Sequence, residues 1–395
     1  MTPVDLSTTV LHAVRRAVRE DALRAPVPAR VRVERTRPGG RGEYASAVAL
    51  QLAGPAGLGA REVAEILRDR LAGAPGVAGV EITGPGFLNF TLDASAGAAA
   101  HRDLVHRVRE QGERYGHGDA LDGHRLLLVH AREVRAAVTA DAVRRLLTAQ
   151  GAAVRLSCEG EPDADWTRLG VSARAYGKPQ PEAPGAGAGG APREADGKPS
   201  TQAPAVSLDS TDPRAHGGPP TPVRTVPAGE TAAALLARLG PDAARWGLLR
   251  PAGHDRAALG PGLIAQTEAN ALFRVRYAHA RARAAVRGAA ALGITVAGPG
   301  EDIDATGATA LLALLDEHPA VLAAAARHRA PDRLARHLEA VAGAFFDFHD
   351  AAPPLPVGDE KPSAAHRTRT AVAEAAGTVL AGGLSLLGVS APEHL

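Results

Sequence analysis

The sequence has almost no cysteine, since Cys158 is the only one in 395 residues. A single thiol excludes a disulfide framework and a zinc site built on cysteines. The chain also lacks an unbroken run of about 18 apolar residues, so it predicts no membrane-spanning helix. Its first 20 residues contain no apolar segment of the kind that directs export. These absences predict a cytoplasmic protein that does not associate with a membrane.

An excess of charge of one sign is also missing. The chain has 45 basic and 43 acidic residues and a formal net charge of +2, so its overall charge does not indicate a nucleic-acid partner. Lysine occurs only at Lys178, Lys198 and Lys361, which leaves arginine as nearly all of the basic complement. Guanidinium groups bind phosphates well, but a GC-rich source gives the same bias. Whether the chain binds a nucleic acid must therefore be judged from local clusters of arginine.

The length predicts more than one domain. Helical and strand periodicities alternate at first, then an apolar strand, a helix over 134–149 and a strand over 153–157 indicate one βαβ unit. A Pro-, Gly- and Ala-rich stretch follows and predicts a disordered linker. Beyond it every apolar pattern is helical. We therefore expect a multidomain α+β protein with an α+β domain at 1–117, a Rossmann-like remnant at 118–158, a linker at 159–228 and an all-α bundle at 229–395.

Two stretches carry a family resemblance. GEYASAVA at 42–49 and GPGFLNF at 84–90 resemble the hallmarks of the N-terminal additional domain of arginyl-tRNA synthetases. NALFRVRYAHAR at 270–281 and the final LLGVSAPEHL resemble the helical DALR anticodon-binding domain of the same enzymes. The two resemblances occur in the family's order. They imply an arginyl-tRNA synthetase-like protein.

The middle of the chain departs from that family. Its members carry a motif in which two histidines hold the ATP phosphates, and here His130-Ala131-Arg132-Glu133-Val134-Arg135 takes its place. His130 and Arg135 are retained, whereas Glu133 replaces the second histidine, and a carboxylate repels a triphosphate. The lysine-containing second signature corresponds to 223–227, which has no lysine. We therefore expect a truncated, degenerate catalytic domain with no functional catalytic residue, and ATP as a cofactor only if the chain is nevertheless a ligase.

The resemblance also implies residues that contact tRNA. In the N-terminal domain these are Tyr44, at the D-loop position, and Arg35 and Arg37, which belong to a run of five arginines. A solvated basic strand edge is the alternative interpretation of that run. In the helical domain the implied anticodon contacts are Tyr277, His279, Arg281 and the C-terminal Leu395. Packing between helices is the alternative role of Tyr277.

Three functions follow from these observations. The first is a tRNA-binding protein derived from an arginyl-tRNA synthetase that cannot form an aminoacyl-adenylate, with tRNA-Arg as the candidate partner. The second is an ATP-dependent arginine-tRNA ligase. The third is a scaffold or regulator that binds a protein partner such as the genuine synthetase. The histidines show no HExxH spacing, and no phosphate-binding GxxxxGK[ST] loop occurs, so we expect neither a metal site nor P-loop chemistry.

Overall fold

The computed structural model of the chain describes residues 3–36, 41–172, 220–298 and 300–395. Contacts between residues divide the chain into two compact units, and neither is continuous in sequence. The first comprises Met1–Glu110, Ala285–Leu312 and Phe348–Ala373, and the second comprises Gln111–Ala284, Ala313–Asp347 and Glu374–Leu395.

The N-terminal part of the first unit is an antiparallel sheet covered by amphipathic helices. The elements are α1 (Pro3–Arg19), β1 (Glu34–Arg35), β2 (Tyr44–Ser46), α2 (Val48–Ala56), α3 (Ala60–Leu71), β3 (Val77–Thr83), β4 (Phe87–Leu92) and α4 (Ala94–Gln111). The strands lie side by side in the order β1-β2-β4-β3. Helix α1 buries Leu6, Val10 and Val14, whose spacing of four residues places them on one face.

Two turns in the N-terminal motifs require glycine. Gly42 has a φ of +70°, and a Cβ on it would lie 2.5 Å from the carbonyl oxygen of Phe90. Gly86 has a φ of +144°, and a Cβ there would lie 2.7 Å from the carbonyl oxygen of Ala60. Both turns therefore exclude a side chain on steric grounds.

The second unit contains a three-stranded parallel sheet. Strand β5 (Arg125–His130) is central, with β6 (Ala153–Cys158) on one side and β7 (Thr221–Val223) on the other. Helix α5 (Val134–Ala149) connects β5 to β6. The βαβ unit predicted from the sequence is thus confirmed, and the helix has the predicted limits.

The sequence missed β7, which lies inside the predicted linker at 159–228. It pairs with β5, with Leu128 opposite Thr221. A 3₁₀ turn at Ala164–Leu169 also lies in that stretch, and its Trp166 is buried. Both ends of the predicted linker are therefore folded, which corrects that prediction for 159–172 and 220–228. The rest of it, 173–219, lies outside the described residues.

The C-terminal part of the chain is helical, as predicted. The spacing of Leu334, Leu338, Val341 and Phe345 predicts one apolar face, and all four side chains are fully buried. The first helix bends at Gly240, where φ is +73°. The helices are α6 (Ala232–Leu249), α7 (Ala271–Ala291), α8 (Thr309–His328), α9 (Pro331–Ala351) and α10 (Ala364–Leu387).

Helices α8 and α10 are long and apolar enough to cross a bilayer by length and composition. This revises the expectation that no segment of the chain qualifies. In α10, 83% of the 18-residue window is buried inside the protein, and in α8 the share is 39%. Because the core helix of a soluble protein passes the same test, these two helices are weak evidence for a membrane location.

Two buried histidines of the second unit lie against each other. The ring centroids of His318 and His337 are 5.2 Å apart, and Tyr115 stacks on the other side of His318. His318 Nδ1 and His337 Nε2 are buried without a hydrogen-bond partner among the described residues. Burial lowers the pKa of His318 to about 3 and that of His337 to about 4, from an ordinary value of 6.5. Both rings are therefore neutral at pH 7.

This pair predicts a loss of stability in acid. The unfolded chain takes up protons near pH 6.5 while the folded pair does not, so the free energy of unfolding falls between pH 6.5 and about 4. We expect His318→Leu to reduce the slope of that fall by up to about 1.4 kcal/mol per pH unit. Urea unfolding at several pH values measures the slope. The exposed His12, changed to Leu, is the control, and equal slopes for all three proteins would contradict the interpretation.

Candidate functional site

The motif at 130–135, which we call the degenerate motif, lies at the edge of the parallel sheet where such sheets bind ligands. His130 is the last residue of β5, the central strand, and α5 begins four residues later. In open α/β sheets, ligands bind beyond the carboxyl ends of the strands, and the free backbone N–H groups of a helix N-terminus favour phosphate. The structure brings His130, Glu133 and Arg135 together at this edge. The contacts of each side chain show whether it is available to a ligand.

Glu133 occupies the N-terminus of α5 with its own carboxylate. Its Oε2 accepts a hydrogen bond from the backbone N–H of Ala136 at 2.9 Å, which makes Glu133 the N-cap of the helix. Its Oε1 accepts a second one from the N–H of Ala228 at 2.8 Å. One carboxylate therefore takes up a helix N–H that would otherwise face a phosphate and adds a negative charge at the same place.

Arg135 is a structural residue. Its side chain is 1% exposed, and its guanidinium donates to five backbone carbonyls. Among these, Nε donates to the Leu248 carbonyl at 3.0 Å and Nη1 to the Val226 carbonyl at 3.1 Å. A guanidinium has five N–H donors, so none is left for a substrate. Arg135 instead joins the start of α5 to the end of α6 and to the segment that follows β7.

His130 is also enclosed by the protein. It is 1% exposed, its Nδ1 is hydrogen-bonded with the Ala131 carbonyl at 2.8 Å, and its ring centroid lies 5.8 Å from that of Trp166. Burial lowers the pKa of His130 and outweighs the opposing effect of that hydrogen bond. A buried, neutral imidazole supplies no positive charge to a triphosphate.

Among the N-terminal residues that the resemblance implies as tRNA contacts, Tyr44 lies in the protein core and not on the surface. Tyr44 is 5% exposed and belongs to the hydrophobic core, because the alternation of β2 turns it inward. It offers no free face to a base. Arg35 pairs with Tyr44 through the backbone of β1. The side chain of Arg35 and all of Arg37 lie outside the described residues.

Two other arginines of the basic run are paired with carboxylates. Arg32 lies 2.7 Å from Glu34, and Arg41 lies 3.1 Å from Glu81, with all four side chains mostly exposed. Arg30 is exposed as well. Exposed ion pairs of this kind contribute little to stability, and they reduce the positive charge of the run. For these members, the described contacts fit a solvated strand edge as well as a phosphate-binding surface.

Helix α7 carries a partly exposed group of aromatic rings, which we call the aromatic platform and define as Phe273, Tyr277 and Phe346. Tyr277 stacks on Phe273 with ring centroids 5.5 Å apart and on Phe346, from α9, at 5.7 Å. Arg281 donates from Nη1 to the Tyr277 hydroxyl at 3.0 Å, and its guanidinium lies 6.0 Å from the ring centroid. Aromatic rings beside a guanidinium are the usual means of holding single-stranded bases.

Sequence reasoning named Tyr277 and Arg281 but missed the two phenylalanines of the platform. Phe273 precedes Tyr277 by four residues and therefore lies on the same helix face, a signal that the sequence did contain. Phe346 comes from another helix, and no local pattern placed it beside Tyr277.

His279 has a structural role that the sequence did not indicate. It is 4% exposed, and its Nδ1 is hydrogen-bonded with the carbonyl of Pro392 at 3.1 Å. Arg283, one turn further along α7, lies 2.9 Å from Glu393. The C-terminal tail is thus fastened along the α7 face that carries His279. Leu395, the last residue, is 52% exposed.

No group of three or more His, Cys, Asp or Glu side chains that could hold a metal ion occurs in the described part of the chain.

Two family descriptions match the chain. Residues 5–92 match "Arginyl tRNA synthetase N terminal domain", and residues 275–395 match "DALR anticodon binding domain". The turns at Gly42 and Gly86 lie within the first match. Tyr277 and Phe346 of the aromatic platform lie within the second match, and Phe273 lies just before it. The segment between the two matches contains His130, Glu133 and Arg135.

Curated relatives and solved structures resemble the whole chain. A Renibacterium salmoninarum protein and a Micrococcus luteus protein, both named arginine-tRNA ligase, are each 30% identical, with both chains covered in full. A Thermus thermophilus arginyl-tRNA synthetase structure has a TM-score of 0.61 at 14% identity, with both chains covered in full. A Plasmodium falciparum arginyl-tRNA synthetase structure has a TM-score of 0.65 at 9% identity, covering 100% of this chain and 99% of that one. At these identities the two structures show a shared fold.

Proposed function

The chain belongs to the arginyl-tRNA synthetase family, and we propose that it is a tRNA-binding member that does not form an aminoacyl-adenylate. The observation that carries this proposal is the position of Glu133. Its carboxylate caps α5 at the edge of the sheet where ATP would have to place its phosphates. Preorganised positive charge is usually the largest contribution to catalysis of such a reaction, and here the charge is negative. The residues present therefore do not fit ATP.

The length of the chain supports the same proposal. The alignment with the Renibacterium relative extends over 553 positions, whereas this chain has 395 residues, so the relative carries many residues that have no counterpart here. The described parallel sheet has three strands. A Rossmann domain that binds a nucleotide and a second substrate uses more strands than this.

Binding of tRNA is supported by the helical domain. The match to an anticodon-binding domain covers 275–395, and the aromatic platform with Arg281 offers stacking surfaces and positive charge in that region. We propose tRNA-Arg as the preferred RNA. Phosphate contacts make such binding depend on salt, so affinity should fall steeply as the salt concentration rises.

A second function, arginine-tRNA ligation, is favoured by the names of the relatives. It requires ATP, arginine and tRNA to react at the sheet edge where Glu133 caps α5 and where His130 and Arg135 are buried. Arginine-dependent exchange of pyrophosphate into ATP in the presence of tRNA would establish this function.

Capture of cellular tRNA on the purified protein tests the binding half of the proposal. We expect enrichment of arginine isoacceptors at low salt and loss of the RNA at high salt, as sequencing of the retained fraction would show. Total tRNA incubated with the Arg281→Glu variant is the matched control. Retention of no RNA at either salt concentration would contradict tRNA binding, and stable co-purification of a protein in its place would favour the scaffold function.

A further inference from the structure

The second unit contains a cavity of about 590 Å³ that the proposed function does not use. It is lined by α7, α10 and the C-terminal tail at 388–395, and we call it the tail cavity. Its α7 residue His279 lies about 200° around the helix from Tyr277 of the aromatic platform. No residue of the degenerate motif or of the second signature at 223–227 lines it. The tail cavity is therefore separate from the ligand sites considered above.

Small side chains on α10 leave this space open. Gly377, Ala381 and Ser385 follow one another at intervals of four residues, so they share the face of α10 that lines the tail cavity. Val389 and Ala391 of the tail add apolar surface. The volume is within the range of about 300–1,000 Å³ that is typical of small-molecule sites. The tail cavity can therefore hold a small ligand with an aliphatic body.

The two arginines of the lining are each bound to a carboxylate of the protein. Arg145 donates from Nε to Asp141 at 2.9 Å. Arg283 donates to Glu393 from Nε at 3.1 Å and from Nη2 at 2.9 Å. An anionic ligand would have to displace these carboxylates, so the arginines do not make the tail cavity an anion site.

Two hydrogen-bond acceptors of the lining have no donor in the described ranges. Nδ1 of His279 is hydrogen-bonded with the Pro392 carbonyl, which can only accept, so Nδ1 carries the proton and Nε2 presents a lone pair. His279 is 4% exposed, and among the described residues nothing donates to its Nε2. Glu113, also in the lining, is exposed and makes no side-chain hydrogen bond or ion pair with any residue that the structure describes.

The carboxylate of Glu113 lies within electrostatic reach of the His279 ring. Burial lowers the pKa of His279, Arg283 acts in the same direction, and the negative charges of Glu393 and Glu113 oppose the shift. The ring is therefore neutral at pH 7 and keeps its lone pair. These acceptors are not close enough together to hold a metal ion, since no group of three or more such ligands occurs in the described part of the chain. Their spacing suits a larger cation.

We propose that the tail cavity binds a small aliphatic amine through a primary ammonium group. An ammonium group has three N–H donors that point in different directions, which suits acceptors supplied by separate chain segments. A guanidinium is a flat fork that suits paired oxygens of one carboxylate instead. The uncompensated charge of Glu113 attracts the cation, and Nε2 of His279 accepts one of its N–H groups. The aliphatic body lies against the small side chains of α10 and the tail.

Isothermal titration of the full chain with putrescine, a four-carbon diamine, tests this proposal. The protein must first be freed of RNA, because cationic amines also bind RNA phosphates. We expect saturable binding to one site, and Glu113→Gln should weaken it about tenfold. Ala381→Met keeps every charge but fills the space, so it should abolish binding with little change in Tm. The affinity should also fall as the pH is lowered from 7 to 5, because a protonated His279 has no lone pair and repels the amine.

Glu317→Gln provides the matched control, because Glu317 is exposed in α8, within the same unit, and does not line the tail cavity. It removes the same charge and should leave putrescine binding unchanged. The proposal is overturned if putrescine does not bind at millimolar concentration, or if Glu317→Gln weakens binding as much as Glu113→Gln does. It is also overturned if folded Ala381→Met binds as the original protein does, or if Mg²⁺ displaces putrescine at equal concentration, since the amine would then respond only to surface charge.

Discussion

Replacement of Asp141 by alanine is expected to lower the free energy of unfolding by about 3–5 kcal/mol, because it leaves a buried arginine without a counter-ion. Asp141 is fully buried in α5, and its Oδ2 accepts from Arg245 Nη2 at 2.9 Å. Arg245 is 1% exposed and also donates to the carbonyls of Leu387 and Leu169. The network joins α5, α6, the 164–169 turn and the end of α10, all within the second unit.

Urea unfolding of the variant measures this loss. Burial disfavours ionisation of Asp141, but Arg245, Arg145 and Arg144 outweigh it and hold the pKa of this carboxyl below its ordinary value. Asp165→Ala is the control, because Asp165 makes one ion pair, with Arg168, whose side chain is 67% exposed. That variant should lose no more than about 1 kcal/mol. Equal losses in the two variants would show that the buried network does not hold the unit together.

Replacement of Tyr277 by leucine is expected to weaken tRNA binding about 5- to 150-fold, the range for loss of one stacked base. Leucine keeps apolar volume between Phe273 and Phe346 but has no flat face for a base. Filter binding with tRNA at one fixed salt concentration measures the change.

The matched control for this prediction is Tyr277→Phe. It keeps the ring and removes only the hydroxyl that accepts the hydrogen bond from Arg281. It should bind tRNA within a fewfold of the original protein. If the phenylalanine and leucine variants bind equally well, Tyr277 serves to pack α7 against α9, which is the alternative role that its helical spacing suggests.

The βαβ unit could be predicted from the sequence because its signals are local. The apolar run at 126–129 indicates a buried strand, and Gly151, with a φ of +93°, follows the end of α5. By contrast, β7 has three residues, which are too few to show a period of two, and its central residue, Pro222, is of a type depleted in strands. Its place beside β5 depends on contacts across more than ninety residues of chain, which no local pattern contains.

In the candidate site, too, properties of a residue itself could be predicted from the sequence, whereas its surroundings in the fold could not. From the sequence we could predict that Glu133 repels a triphosphate, because charge is a property of the residue itself. The sequence could not indicate that Glu133 caps α5, or that Tyr44 and His279 are buried, because those facts depend on which face each element turns inward. The platform residue Phe346 lies 69 positions from Tyr277 along the chain and was missed for the same reason.

Exchange of labelled pyrophosphate into ATP, with arginine and tRNA present, tests the central claim most directly. The assay should use protein that has first been shown to bind tRNA, with an active arginyl-tRNA synthetase run in parallel. Because Glu133 occupies the helix N-terminus and Arg135 has no free donor, we expect no exchange above the blank, even at high protein concentration. Exchange that requires arginine would contradict this account and establish the chain as an arginine-tRNA ligase.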